Sequence, residues 1–196
     1  FFILILMNNY LKSTAPEYDN ILEDILNHFM YLDNNYDLFK VNFNFSDEVI
    51  LVGYSSGVQV LCEILLKKPI IEYKKLFVKN IVLISGVFNL YEKIINSNTE
   101  YKIANYCINL YNSWLFKDKL KSPMQIIQDL PSKEYTIIGC FKELPDFPII
   151  KSLSNQLFCS NKFYDRLQKY CVKSKIILID SNHWSILSDK KLISIF

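Results

Sequence analysis

The sequence is poor in residues on which several protein classes depend. Its 196 residues include four glycines, two histidines and a single arginine, Arg166. The 22 basic and 20 acidic side chains leave a net charge of +2, so the concentrated positive charge of a nucleic-acid-binding protein is missing. The five cysteines never form a C-x-x-C pair, which argues against a disulfide framework or a zinc site. We therefore expect a reducing compartment, the cytoplasm.

Long apolar segments are also missing. The run at residues 1–7 is about a third of the roughly 20 residues that a membrane span requires, so we expect a buried strand there and no membrane partner. Apolar side chains are nevertheless abundant, because the chain is 51% hydrophobic and only 21% charged. That composition is sufficient for one buried core, and the length fits a single domain over residues 1–196.

Short runs of Ile, Val and Leu alternate with longer segments of helical period, a pattern typical of parallel strands joined by crossover helices. The predicted strands are residues 1–6, 48–52, 80–84, 135–138 and 175–179, and the predicted helices are residues 18–32, 56–67 and 162–171. The stretch 90–130 is longer than one crossover requires and predicts a helical insert that forms a lid or pocket wall. The pattern as a whole predicts an α/β fold, with a mostly parallel sheet and helices on both faces.

Two of the four glycines fall in residues 53–57, which read G-Y-S-S-G and directly follow the second predicted strand. G-x-S-x-G is the pattern of a nucleophile elbow, a tight strand-to-helix turn in which Gly53 and Gly57 allow the sharp bend that exposes Ser55. The turn also directs the backbone N–H of Ser56 toward the position of a developing oxyanion. Ser55 is therefore the candidate nucleophile, and Ser56 is the candidate oxyanion donor.

A serine nucleophile needs a base, and only two histidines are available. His28 lies upstream of the serine in an amphipathic segment, where a position on a helix surface is expected. His183 follows the last predicted strand, which delivers it to the edge of the sheet where the serine also lies, so it is the candidate base. Trp184 beside this histidine and Tyr54 beside the serine are candidates for the substrate pocket.

The third member of a catalytic triad is a carboxylate that accepts from the second ring N–H of the histidine. It should follow the strand before the histidine strand, and Glu143 and Asp146 compete for that position. Glu143 is closer to the strand end and is the first candidate, with Asp146 as the alternative. The resulting chain order of serine, acid and histidine is that of the α/β-hydrolase fold. Cys140 in the same segment has no base of its own and is expected to be a small buried residue.

Around these positions the sequence resembles the kynurenine formamidase branch of the α/β-hydrolases. Residues 83–90, L-I-S-G-V-F-N-L, are similar to the family block L-V-S-G-V-Y-D-L. Residues 143–147, E-L-P-D-F, are similar to D-S-P-E-F, and residues 182–187, N-H-W-S-I-L, are similar to D-H-F-x-I-x. The resemblance implies that Glu143 is the triad acid and His183 the base. It also implies hydrolysis of N-formylkynurenine to kynurenine and formate, a step of tryptophan degradation.

The sequence also departs from this family. Its elbow reads G-Y-S-S-G where the family has G-H-S-A-G, and the H-G-G type of oxyanion motif has no counterpart. In the family that motif precedes the strand to which residues 1–10 correspond, and this sequence begins with Phe1 rather than Met. We therefore interpret the N-terminal strands and the oxyanion loop as absent from this chain. One lost oxyanion donor lowers turnover by roughly 100- to 1,000-fold.

The expected function is that of a serine hydrolase that acts on a formamide or ester carbonyl, with neither a metal nor an organic cofactor. The expected partner is a small-molecule substrate, and the sequence leaves open whether the protein forms a homodimer. Two alternatives also stay open. The first is a general carboxylesterase for small acyl esters, and the second is a catalytically degenerate hydrolase-like scaffold that binds a ligand.

Overall fold

The structure, a computed structural model, describes residues 2–7, 18–43, 48–66, 77–89, 106, 121–143, 158–170 and 173–195. The strands of this part of the chain are β1 Phe2–Met7, β2 Glu48–Tyr54, β3 Phe77–Ile84, β4 Glu134–Lys142 and β5 Ser174–Asn182. The helices are α1 Tyr18–Asn34, α2 Tyr36–Phe43, α3 Gly57–Leu66, α4 Pro123–Ile126, α5 Ser160–Lys169 and α6 Lys190–Ile193. Short 3₁₀ turns lie at Ile127–Asp129 and Ile186–Ser188.

The strands form one sheet in the order β1-β2-β3-β4-β5, and every neighbouring pair is parallel. Because the order in the sheet repeats the order in the chain, right-handed crossovers place the described connecting helices α1, α3 and α5 on the same face. The buried side chains agree with this arrangement. Phe29 of α1, Leu61 of α3 and Phe163 of α5 belong to one core cluster, which also contains Leu51 and Leu83 from the sheet.

The opposite face of the sheet has its own apolar cluster. Strand side chains alternate between the two faces, so Val52, Val82 and Ile138 point away from the crossover helices. They pack with Ile186 and with Leu192 of α6, which supply the C-terminal cover of this face. Burial of the central strands on both faces explains why their sequences read as continuous apolar runs.

The structure contains all five predicted strands and extends several of them at one or both ends. β3 begins at Phe77, β4 reaches Lys142 and β5 reaches Asn182. The ladder explains these longer strands, because backbone pairing joins Glu48 to Phe77 and Lys142 to Asn182 irrespective of side-chain polarity. The helix α2 was not predicted, since eight residues contain too few turns to show a clear helical period.

The predicted lid at residues 90–130 lies mostly outside the described residues. Its last part folds as α4, which begins at Pro123 immediately after Ser122. His28 lies on the exposed side of α1, as expected for a helix surface position. None of the helices in the described ranges is both long and apolar enough to cross a lipid bilayer.

Candidate active site

β2 delivers Ser55 to the carboxyl end of the sheet in a strained turn. Ser55 follows the last residue of β2, has a φ angle of 56° and precedes α3, which begins at Gly57. A residue with a side chain in this left-handed region costs on the order of 1–3 kcal/mol, so the surrounding structure has to hold it there. The turn leaves Ser55 half-buried, with its side chain at the edge of the sheet.

Three backbone hydrogen bonds hold this strained residue. The Ser55 N–H donates to the carbonyl of Ile84 at 3.0 Å. The Ser55 carbonyl accepts from the N–H of Val58 at 3.1 Å and from the N–H of Val87 at 3.4 Å. One partner is in α3 and the other two flank the end of β3, so the S-G-V segment packs directly against the elbow.

Two glycines allow the first turn of α3 to approach the sheet. A Cβ atom on Gly53 would lie 2.9 Å from the Cα of Val58 and 3.1 Å from the carbonyl oxygen of Gly57, and backbone atoms cannot move away cheaply. A Cβ atom on Gly86 would lie 2.7 Å from Cζ of Phe88 and 2.8 Å from Cγ1 of Val58. The elbow therefore depends on the missing side chain at both positions.

β5 brings His183 to the same edge of the sheet. The chain turns directly after the strand, because Oδ1 of Asn182 accepts the N–H groups of Trp184 and Ser185, both at 3.0 Å. Nε2 of His183 then lies 2.9 Å from Oγ of Ser55, which is hydrogen-bond distance. The fold thus brings together two residues that are 128 positions apart in the chain.

Glu143 lies on the other side of the histidine. Its Oε2 is 3.2 Å from Nδ1 of His183, and its Oε1 accepts the N–H of Cys140 at 2.9 Å. A backbone bond of 3.2 Å from the His183 N–H to the Glu143 carbonyl joins the same two residues a second time. The ladder shifts register between Cys140 and Lys142, which alters the direction of β4 just before Glu143. The alternative acid, Asp146, lies outside the described residues.

The buried carboxylate selects one form of the imidazole. His183 and Glu143 are only 3% and 7% exposed. A carboxylate opposite Nδ1 favours the tautomer that carries its proton there, which leaves the lone pair of Nε2 facing Ser55. If the ring takes a second proton, the carboxylate stabilises the resulting charge in surroundings of low dielectric constant. The arrangement can therefore remove the Ser55 proton and retain it.

Three aromatic rings surround the imidazole. The ring of Tyr54 stacks on it with centroids 5.3 Å apart and an interplanar angle of 27°, while the Tyr54 hydroxyl donates to the His183 carbonyl. Phe158 lies 4.8 Å away in a tilted contact, and Trp184 lies 5.1 Å away edge-on. Trp184 is 73% exposed, so it borders the site from the solvent side. Tyr54 is half-buried and contacts the histidine itself.

A second serine in the left-handed region is buried beside Cys140. Ser85 has a φ angle of 44°, and its Oγ lies 3.2 Å from Sγ of Cys140. Burial raises the pKa of the Cys140 thiol to about 12, so the thiol stays protonated near neutral pH and is a poor nucleophile. Burial also raises the pKa of Tyr54, and the neighbouring Cys140 and Glu143 act in the same direction. The Tyr54 hydroxyl therefore keeps its proton for donation.

The N–H of Ser56 is the candidate oxyanion donor. It lies at the turn into α3 beside Ser55, and no hydrogen bond among the described residues uses it. Such an N–H can donate to an oxygen on which negative charge develops. Within the same ranges, no group of three His, Cys, Asp or Glu side chains is arranged to bind a metal ion.

Sequence reasoning missed two contacts of this site. Phe158 lies just before α5 in a segment without a recognisable motif, and nothing local indicates that it reaches His183. The N–H of Cys140 was also missed, because the bend that presents it to the carboxylate arises from ladder pairing rather than from a residue pattern.

Comparisons with known proteins identify the fold. No family model matches the sequence, and no curated protein matches it. Solved structures do match, among them fungal esterases from Rhizomucor miehei, with a TM-score of 0.58, 12% identity, and coverage of 95% of this chain and 59% of that chain. The Francisella virulence factor BioJ matches with a TM-score of 0.56, 14% identity, and coverage of 92% and 58%. Carboxyl esterase 2 of Tuber melanosporum matches with a TM-score of 0.55, 20% identity, and coverage of 91% and 57%.

These similarities establish the architecture. The chain has the α/β-hydrolase fold, with a parallel sheet and connecting helices. It spans less than two thirds of the length of these solved structures. At identities of 20% or below, the similarity shows the fold and not the reaction.

Proposed function

We propose that the protein is a serine hydrolase in which Ser55 is the nucleophile, His183 is the general base and Glu143 orients the base. The observation that carries this proposal is the row of three side chains with contacts of 2.9 Å and 3.2 Å at the end of the sheet. Side chains from three separate strand ends converge there, and the serine is held in the left-handed region. Strain of this kind clusters at functional sites.

The first half of the reaction forms an acyl-enzyme. Oγ of Ser55 attacks the substrate carbonyl while its proton passes to Nε2 of His183, and the carbonyl oxygen becomes an oxyanion. The N–H of Ser56 donates to this oxyanion, and Glu143 stabilises the imidazolium. The intermediate then collapses when His183 gives the proton to the leaving alcohol or amine, so that the acyl group stays on Ser55.

The second half releases the acyl group. His183 takes a proton from water, the resulting hydroxide equivalent attacks the acyl carbon, and a second oxyanion forms at the Ser56 N–H. Collapse breaks the bond to Ser55, whose oxygen regains the proton from His183. The products are the free acid and a restored serine, and the cycle needs no metal or organic cofactor.

For the substrate we propose a formamide, with N-formylkynurenine as the most specific choice. The blocks at residues 83–90, 143–147 and 182–187 support it through their resemblance to kynurenine formamidases. The exposed ring of Trp184 and the ring of Phe158 beside His183 also offer flat apolar surfaces for an aryl leaving group.

A general carboxylesterase for small acyl esters is the second candidate. It is favoured by the solved structures with the same fold, which include fungal and archaeal esterases. The triad chemistry is the same for both candidates, so they differ in the acyl group that Ser55 receives and in the leaving group that His183 protonates. An ester expels an alcohol, whereas a formamide expels an amine.

The proposal extends to the setting of the enzyme. A small-molecule substrate and a single hydrolase domain are the arrangement that we expect. The thiols of Cys62 and Cys140 are buried and form no disulfide, which supports the cytoplasm as the compartment. We also propose that self-association as a homodimer is compatible with activity, since the site is built within one chain.

Hydrolysis assays with matched variants test the proposal. Purified protein is incubated with N-formylkynurenine and, separately, with p-nitrophenyl acetate, alongside Ser55→Ala and the surface control Ser194→Ala. We expect formamide turnover in the wild-type and Ser194→Ala proteins and loss of turnover in Ser55→Ala. Ester turnover without formamide turnover would select the carboxylesterase. Equal turnover in Ser55→Ala and wild-type protein would contradict the nucleophile assignment, and silence on both substrates would favour a degenerate scaffold.

A further inference from the structure

Tyr54 makes two different contacts with a single residue, His183. Its ring lies almost parallel to the imidazole, with centroids 5.3 Å apart, and its hydroxyl donates to the His183 backbone carbonyl. One contact limits rotation of the histidine side chain, and the other limits movement of the histidine backbone. Together they fix the position and the plane of the ring from which Nε2 faces Ser55.

Tyr54 directly precedes Ser55 in the chain, so its contacts with His183 also affect the distance between His183 and Ser55. Tyr54 is the last residue of β2 and is bonded directly to Ser55, whose Cα lies about 3.8 Å away across a trans peptide. Any shift of His183 relative to Tyr54 is therefore also a shift relative to the nucleophile. Glu143 holds the histidine from β4, whereas Tyr54 holds it from the strand that bears the serine.

We propose that Tyr54 is a positioning residue that sets the distance between Nε2 of His183 and Oγ of Ser55. This inference rests on the proposed function, in which that distance governs proton transfer. Tyr54 contacts the histidine rather than the reacting atoms, so it acts through His183. The sequence predicts a pocket role for Tyr54, and the positioning role is a separate one. It follows from the contacts that one ring face and the hydroxyl make with the histidine.

The surroundings of Tyr54 keep this arrangement intact near neutral pH. Burial raises the pKa of its hydroxyl, and the neighbouring Cys140 and Glu143 raise it further. A phenol that stays protonated remains a donor to the His183 carbonyl. A misplacement of about 1 Å in a catalytic group can lower the rate roughly 100-fold, so a contact of this kind can affect turnover without touching the substrate.

Two substitutions separate the contacts of Tyr54. Tyr54→Phe keeps the stacked ring and removes the hydroxyl bond, and Tyr54→Leu removes both. Tyr135→Phe is the matched control, because Tyr135 donates to the Pro131 carbonyl at 3.0 Å and lies near the opposite end of the sheet. Each protein is assayed for kcat and KM on p-nitrophenyl acetate and p-nitrophenyl butyrate, and for the rate at which a fluorophosphonate labels Ser55.

A positioning role predicts a fall in kcat and in labelling rate with little change in KM, to the same extent for both esters. We expect a fall of about 3- to 10-fold for Tyr54→Phe and about 10- to 100-fold for Tyr54→Leu, since the second variant loses both restraints. Tyr135→Phe should keep wild-type kinetics. Because Tyr54→Phe retains the ring and its packing, it serves as the test if Tyr54→Leu does not fold.

Two results would contradict a positioning role for Tyr54. Unchanged kcat and labelling in folded Tyr54→Phe and Tyr54→Leu would overturn the proposal, and so would a change confined to KM that differs between the two esters, which is the signature of a pocket wall. Failure of the proposed function looks different, because the wild-type protein itself would then show neither ester turnover nor labelling of Ser55.

Discussion

Two serines of this protein have nearly the same backbone environment and very different surroundings. Ser55 follows the end of β2 with a φ angle of 56°, and Ser85 follows the end of β3 with a φ angle of 44°. Each N–H donates to the adjacent strand, to Ile84 at 3.0 Å for Ser55 and to Ile138 at 2.7 Å for Ser85. The two turns are thus successive versions of one strand-end geometry.

The difference lies in what each hydroxyl meets. Oγ of Ser55 is 2.9 Å from Nε2 of His183 and is half-buried, whereas Oγ of Ser85 is 3.2 Å from Sγ of Cys140 and fully buried. A thiol whose pKa is raised to about 12 by burial is no proton acceptor at neutral pH. Strain at a strand end therefore does not make a serine reactive by itself; an accessible base is also required.

The largest expected effect follows from replacing Ser55 with alanine, and the same change at Ser85 supplies the contrast. Ser55→Ala removes the proposed nucleophile and should lower kcat by about 10⁶-fold, the loss found when a triad serine is removed. Ser85→Ala removes only a weak contact with a thiol, so its kcat should stay within about threefold of wild type. Steady-state hydrolysis of p-nitrophenyl acetate by both variants measures this contrast, and a large loss in folded Ser85→Ala would break the comparison.

A smaller loss is expected for Glu143→Gln. The amide preserves the shape of the side chain but can donate to Nδ1 of His183, which favours the wrong tautomer. We expect kcat to fall by roughly 10³- to 10⁴-fold, with KM little changed. An exposed carboxylate supplies the control: Glu134→Gln breaks only a surface ion pair with Lys173 and should keep wild-type kcat. Equal kinetics for Glu143→Gln and wild type would transfer the acid role elsewhere, with Asp146 the next residue to replace.

The elbow itself is tested by Gly53→Ala. The added Cβ would meet the Cα of Val58 at 2.9 Å, so the backbone of the turn has to shift, and the shift displaces Ser55 relative to His183. We expect a loss of about 1–3 kcal/mol in the free energy of unfolding and a fall of roughly 10- to 100-fold in kcat. Urea unfolding and ester kinetics report the two quantities.

Gly139→Ala is the control for the elbow variant. Its Cβ would meet the side chains of Ser160 and Leu178 at 2.9 Å and 3.2 Å, away from the turn that bears Ser55. It should lose stability with a smaller loss of kcat. If both variants lose stability and activity in the same proportion, the elbow has no special role in positioning the serine.

The smallest expected effect is the contribution of Cys140, which contacts Ser85, to the pH dependence of the free energy of unfolding. The Cys140 thiol loses its proton near pH 9 in the unfolded chain but near pH 12 in the folded protein. The unfolded state therefore binds fewer protons between these values, and the free energy of unfolding falls as pH rises from about 9 to about 12, by up to 1.4 kcal/mol per pH unit for one thiol. The stabilisation is fully present below pH 9.

Urea unfolding of wild type and Cys140→Ser between pH 8 and pH 10.5 measures this decline. We expect the free energy of unfolding to decline less steeply with pH in Cys140→Ser than in wild type, because the variant lacks the Cys140 thiol. Some decline should remain, because other buried groups such as Cys62 still titrate. Identical pH dependence in the two proteins would show that Cys140 ionises equally in the folded and unfolded chains. Its environment would then differ from the one described beside Ser85.

Part of the site and most of the sheet can be predicted from the sequence alone. The sequence predicts Ser55 because a motif marks it, and it predicts His183 because, of the two histidines, this one follows the last predicted strand. Glu143 could not be separated from Asp146, since both follow the same strand and only the bend at the end of β4 brings one carboxylate beneath the ring. The parallel sheet was predictable from the apolar runs, because its central strands are buried on both faces.

What the sequence could not predict depends on distances across the fold. The left-handed turn at Ser85 carries no G-x-S-x-G pattern, so the second strained serine was not singled out. The stacking of Tyr54 on His183 joins residues 129 positions apart in the chain, and no local period encodes it. The helix α2 was too short for its apolar spacing to stand out.

The most direct test of the central claim is the labelling of Ser55 by a fluorophosphonate probe, located by peptide mass spectrometry in wild type and in His183→Ala. The probe reacts with a serine whose proton is removed by a base and not with an ordinary hydroxyl. We predict an adduct on Ser55 and none on Ser85 in the wild-type protein, with labelling of Ser55 at least about 100-fold slower in His183→Ala. An adduct that forms equally fast without His183, or no adduct on Ser55 in the wild-type protein, would contradict the account.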